Sequence, residues 1–337
     1  MIRLQSPFRR GMLIAATLLA LGLGASPATS AALTLRYGHM NSPSSVAGQQ
    51  AQMFADKVKE YTNGEIEIQV YPSSQLGKMQ EMAEATSTGV IALSHNTAGG
   101  TGSLYEPFAA LDTPYLYRDV KHLMQVTSID SPVMKKLNEG LIEAAGVRVL
   151  YAYYFGTRNL TANKAVRTPA DLAGVKIRAL PFPIYMTAVE ALGAVPVPVD
   201  WSEVPTALAT GQVSGQENPV DVVLSNKLYE SQSHLMLTGH IMNPEVIIMN
   251  NRTWEKLTDA QREAFKRAAN ETRAKATEMV QSQEADQLAK LKALKMTVIG
   301  PEQGLDLEAF RANASKLVKE RFADKYGDLY KQIADIK

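Results

Sequence analysis

Arg158, Arg178 and Asn218 are the side chains whose types and settings point most directly to chemistry. Arg158 closes Tyr153-Tyr154-Phe155-Gly156-Thr157-Arg158, Arg178 closes Gly174-Val175-Lys176-Ile177-Arg178, and Asn218 sits in Gly215-Gln216-Glu217-Asn218-Pro219. Both arginines end short β-like runs among apolar residues, where a guanidinium is costly to bury without an anion. Nearby sequence supplies no obvious carboxylate. A planar fork of donors without a protein partner suits a bidentate grip on a ligand carboxylate. The competing expectation is that Arg178 pairs with Glu190, Glu203 or Glu217 once the chain folds.

Other chemistries find less support. His39, His95, His122, His234 and His240 form no metal-binding or acid–base spacing, and no nucleophile motif accompanies them. Ordinary solvent or hydrogen-bonding roles are expected for them, with His39 the exception because it lies in a loop. The Gly/Thr-rich stretch Asn96 to Ser103 lacks the Lys-Ser/Thr ending of a P-loop. Asp200, Glu203 and Glu217 could supply a carboxylate pair, but Glu217 in its Gln-Glu-Asn-Pro turn reads as a backbone anchor. Cysteine is absent, which excludes disulfides, thiolate chemistry, Cys-ligated metals and a lipid-modified N-terminus. No cofactor or metal is expected, and an enzyme is the weaker reading.

The elements that must position these groups can be read in order. Arg3, Arg9 and Arg10 precede an apolar run from Met12 to Leu23 and a small-residue stretch from Ala25 to Ala32. Residues 1–31 are therefore expected to be a secretory signal peptide, with the mature protein in the periplasm. The chain has 35 basic and 34 acidic residues, and removing the three arginines of that segment leaves 32 against 34. Such a balance offers no basic face for nucleic acid.

Leu33 to Tyr37 reads as a strand, Ser45 to Tyr61 as an amphipathic helix and Ile66 to Val70 as a second strand, a βαβ opening that implies parallel pairing. A helix over Lys78 to Thr88, a strand over Val90 to Ser94, helices near Val120–Thr127 and Pro132–Ala145, and a strand over Val147 to Tyr154 follow. The first crossing between domains is expected at Phe155-Gly156-Thr157. Short strands at Ile177–Ala179, Val195–Val197 and Gly215–Glu217 build a second domain, with helices at Ile184–Leu192 and Glu203–Thr210 between them. Val246 to Asn250 reads as a strand returning to the first domain. A capping box at Thr258–Gln261 opens a helical run to about Lys295, either continuous or broken near Gln281–Glu284. A strand at Thr297–Ile299 and helices at Leu307–Phe322 and Leu329–Ile333 end the chain.

Tyr71-Pro72-Ser73-Ser74-Gln75-Leu76-Gly77, Pro169 to Arg178, Leu192 to Pro198, Ser202 to Gly211 and Gly215 to Pro219 form an ordered series. That series closely resembles the substrate-binding proteins of tripartite ATP-independent periplasmic (TRAP) transporters, the DctP-like family, over essentially the whole mature chain. The resemblance implies a two-lobed α/β periplasmic binding protein, type II-like, with mixed sheets, hinge strands and a long helix spanning both lobes. The expected division is 32–155 plus 244–283 for lobe I and 156–243 plus 284–337 for lobe II.

It further implies an organic acid held by Arg178, supported by Arg158 and Asn218, and delivered to the small and large membrane subunits of a TRAP permease. Trp201 would line the pocket, and Phe182 would add aromatic area. Thr97, Met79 and His39 are carried over as wall positions. In sialic-acid-binding relatives the places matching Met79 and Thr97 are acidic, so a less polar monocarboxylate, aromatic or branched, is favoured here. Most relatives are monomers, and a monomer is expected. A module that presents its closed form to a receptor would need the same cleft, so the sequence leaves that alternative open.

Overall fold

Leu33, Leu35 and Tyr37 alternate with polar residues, and the computed structural model, which describes residues 32–337, opens on this strand. The signal-peptide reading of 1–31 lies outside the described residues. Strand β1 (Leu33–Gly38), the helix Val46–Tyr61 and β2 (Ile66–Tyr71) make the expected βαβ unit, with Leu35 opposite Ile68 in parallel register. Ser45 starts the helix by accepting a hydrogen bond from the Gly48 amide. Phe54 and Val58 bury against the sheet.

The helix Met79–Thr88 leads into β3 (Leu93–Thr97), which is parallel to β1. This strand lies later than the sequence suggests. Val90 is exposed, whereas Asn96 and Thr97, expected in a loop, complete the strand. The Thr97 hydroxyl accepts from the Gly100 amide at 2.8 Å and caps a short helix, Ala98–Thr101. That turn replaces most of the expected Gly/Thr-rich loop.

Two long strands organise the remainder. β4 (Val147–Ala162) runs straight through Phe155-Gly156-Thr157. β5 (Lys176–Ala179), β6 (Val195–Pro198) and β7 (Gly215–Asn218) follow as anticipated. β8 (His234–Asn250) then pairs antiparallel with β4 almost end to end, although only Val246–Asn250 was expected. β9 (Thr297–Ile299) adds beside β8. The order is β2-β1-β3-β8-β4-β7-β5-β6.

The last part of β8 pairs with β3 on one side and with the first half of β4 on the other, while the end of β4 pairs with β7 and the start of β8 with β9. Each long strand thus belongs to both halves of a two-lobed α/β fold. Where they cross, the ladder slips between Tyr154 and Gly156 and again between Arg158 and Leu160. Gly156 takes φ +131°, and a Cβ there would lie 2.6 Å from Pro219 Cβ, so glycine is needed for both reasons.

The helix Asp259–Ala293 is unbroken over 35 residues, about 52 Å at 1.5 Å per residue. Its Phe265, Ala268 and Ala276 pack with Tyr151 and Ile247, and its Leu291 packs with Val204, Leu208 and Leu235. One helix therefore contributes to the cores of both halves. Burying a side chain such as Phe265 contributes roughly 1.5–3 kcal/mol. A single helix, Leu307–Asp335, replaces the two expected at the end. Phe310 joins the core around Leu160 and Ile177, while Phe322, Tyr326 and Ile333 join the core around Leu111, Leu123 and Leu137. Among the described residues no helix is long and apolar enough to cross a membrane.

Candidate functional site

A cavity of about 40 Å³ opens beside the two long strands. Arg178, Arg158, Asn218, Trp201, Thr97, Met79 and Phe182 all line it. The fold therefore brings together every candidate position but one.

Arg178 sits on β5, parallel to β6 and β7, near the carboxyl ends where ligands of open α/β sheets gather. It is 2% exposed. Its guanidinium donates Nε to the Val199 carbonyl at 2.8 Å and lies 5.7 Å from the Trp201 ring centroid. Among the described residues it makes no ion pair with an acid, so the pairing expected as its alternative does not form. Burial pushes its pKa down to about 10, with the more distant Glu217 charge opposing the shift. At neutral pH it is a buried cation with two terminal nitrogens available to an anion.

Arg158 corrects the expectation that both arginines lack a protein partner. Nε and Nη2 grip the Glu217 carboxylate at 2.5 and 2.8 Å, and Nη1 donates to Asn243 Oδ1 at 2.9 Å. Glu217 is consequently an ion-pair partner and not simply a backbone anchor. Burial alone would raise the Glu217 pKa, but Arg158 and the His240 hydrogen bond reverse this and hold it down at about 2. β4 and β7 create the pairing by setting Leu160 opposite Glu217. Asn218, next along β7, donates its amide to Gln216 Oε1 at 2.5 Å and keeps its side-chain oxygen for other use.

The network continues through Asn243, which donates to Asp112 Oδ1 at 2.8 Å, while Tyr185 and the Gly99 amide donate to Oδ2. Burial pushes Asp112 up to about 7 against these bonds. Arg158 is thereby fixed from several sides.

On the opposite wall, the Thr97 hydroxyl also lies 3.6 Å from Met79 Sδ. Lys78 beside it reaches Asp200 at 2.7 Å and Glu203 at 2.9 Å, so two of the acids beside the cleft already have a cation. His39 does not line the cavity; its neighbours Met40 and Asn41 do. The chain leaves β1 with His39 turned inward, 6.1 Å from the His95 ring and fully buried. Neither His39 nitrogen has a hydrogen-bond partner, and burial followed by the nearby His95 lowers its pKa to about 3.

Several lining residues escaped the sequence reading: Phe155, Leu180, Pro181, Val222 and Glu245. Glu245 stands on β8 directly opposite Thr97 and Tyr153. An acid immediately before the apolar run Val246–Met249 was the available signal. Pro244 obscured it, because proline argues against a central strand.

The family model described as bacterial extracellular solute-binding protein, family 7 (DctP) matches residues 37–325. The chain is 32% identical over 304 residues to the sialic acid-binding periplasmic protein of Vibrio cholerae, covering 90% of this chain and 93% of that one. Among solved structures, a TRAP periplasmic solute-binding protein from Bordetella, with ligand density assigned as pantoate, aligns at TM-score 0.83 and 32% identity, covering 90% and 99% of the two chains. A TRAP periplasmic solute-binding protein from Polaromonas bound to D-erythronate aligns at TM-score 0.83 and 32% identity, covering 90% and 98%.

Proposed function

This chain belongs to the DctP family, family 7 of the bacterial extracellular solute-binding proteins, and from that premise we propose that it captures an organic acid in the periplasm and delivers it to a TRAP permease. The observation that carries the reading is Arg178, a buried guanidinium lining the cavity without an acidic partner among the described residues. The ligand carboxylate completes that ion pair, with Asn218 and the Arg158–Glu217 pair holding the frame.

The pairing of the cations supports a monocarboxylate: Arg158 is held by Glu217 and Lys78 by Asp200 and Glu203, whereas Arg178 is the lining cation without an acid among the described residues. Met40, Leu180, Phe182 and Trp201 supply apolar wall, which favours a short, branched or ring-bearing skeleton over a long polyhydroxylated one. Sialic acid and D-erythronate, the ligands named for two relatives, are carboxylic acids.

Lobes 32–155 plus 244–283 and 156–243 plus 284–337 then close on the ligand about the crossing strands, with both long helices shared between them. Residues 1–31 direct export. A thermal-shift panel tests the function: monocarboxylates should raise Tm and their neutral amides should not. At a hundred times Kd the stabilisation is about 2.7 kcal/mol. Equal shifts from acids and amides would contradict the carboxylate reading.

A further inference from the structure

The cavity is also lined by a buried acid that the carboxylate grip does not use. Glu245 is 2% exposed and lines the cavity. Its neighbour across β3 is Thr97, also a lining residue. Directly opposed residues of an antiparallel pair project from the same face, so Glu245 belongs to the cavity side of the sheet. Its Oε2 is enclosed and lies 2.6 Å from His95 Nε2. A carboxylate has several lone pairs on two oxygens, so acceptor capacity remains beyond that contact.

We propose that Glu245, backed by His95, accepts a hydrogen bond from a hydroxyl of the bound acid, so that the protein selects hydroxy acids over unsubstituted acids of the same skeleton. This rests on the reading that Arg178 takes the carboxylate. His95 stands against Oε2, which leaves the rest of the carboxylate's acceptor capacity for a ligand donor. The other acid on the wall, Asp200, is engaged by Lys78. Thr97 is engaged by the Gly100 amide. Among the described residues Glu245 is thus the acidic lining group that no lysine or arginine engages.

Isothermal titration with matched acids tests this. The probes are pantoate against tert-butylacetate, which has its skeleton without the hydroxyls, erythronate against butyrate, and tert-leucine as the amino counterpart of the first pair. Wild-type protein should bind at least one hydroxy acid about 10- to 100-fold more tightly than its partner, the worth of a hydrogen bond to a charged group. Glu245→Leu should bring that ratio to within about threefold, chiefly by weakening the hydroxy acid. Glu245→Gln, which keeps the size and an acceptor oxygen, should retain part of the ratio and guards against a folding defect. A ratio unchanged in Glu245→Leu, equal binding of both partners by the wild type, or a preference for tert-leucine would overturn the assignment. Failure of every acid to bind would instead overturn the carboxylate reading and this inference with it.

Discussion

Arg158 and Arg178 are equally buried, yet one is neutralised within the protein and the other is not. Their shared sequence context concealed this, because Glu217 reaches Arg158 only through the pairing of β4 with β7. Glu217→Gln should therefore destabilise the fold by about 3–5 kcal/mol, as when one member of a buried pair is removed; urea denaturation measures it, and a loss under 1 kcal/mol would deny the pair its structural role. His39 offers a test by pH. Its folded pKa, about 3, lies below the ordinary 6.5, so its contribution is complete above 6.5 and declines as the pH falls toward 3, where the unfolded chain takes up the proton first. Asp112, pushed up to about 7, contributes oppositely: its stabilisation is present below its ordinary range and is lost as pH rises through 7. His39→Leu should accordingly make the protein more acid-resistant than wild type between pH 6.5 and 4, while leaving ligand affinity within about threefold. A steeper acid loss, or a large change in affinity, would contradict the buried, non-contacting role.

At the scale of elements, periodic segments were legible and interrupted ones were not. The first strands, the helices Val46–Tyr61 and Pro132–Ala145, and the capped helix from Asp259 showed their patterns plainly. The first half of β8 was hidden because Thr238-Gly239-His240 and Pro244 carry turn signals, whereas its pairing with β4 overrides them. The end of the chain was expected as two helices, Leu307–Phe322 and Leu329–Ile333, but packing of Phe322, Tyr326, Leu329 and Ile333 in one core carries a single helix through the gap. Phe155-Gly156-Thr157, expected as the first crossing between domains, forms a bulge within a continuing strand. Gly156→Ala should cost about 1–3 kcal/mol through strain at its positive φ and the clash with Pro219. A variant as stable as wild type in chemical denaturation would show that the crossing tolerates a side chain.

The whole molecule couples these elements to capture. Lys78 from one wall meets Asp200 and Glu203 from the other, spanning the cleft over which the lobes are proposed to close. These are exposed groups, and such pairs contribute little on their own. Lys78→Ala should speed ligand release by less than tenfold, with the difference shrinking at high salt; stopped-flow dissociation measures both, and a hundredfold effect would mean that the latch, not Arg178, carries the binding. The apolar and arginine-bearing half of the site could be read from residue order and family resemblance. Glu245 and the His39–His95 contact could not, since they depend on which strands adjoin in space.

The central claim is that Arg178 is held ready for a ligand's carboxylate. Isothermal titration of the best-binding acid into wild-type and Arg178→Ala protein, with the unliganded Tm of each recorded alongside, tests it most directly. The account predicts a fall in affinity of roughly two to three orders of magnitude, with the unliganded Tm unchanged or raised because an unpaired buried charge has gone. Unchanged affinity in a folded Arg178→Ala variant would contradict it.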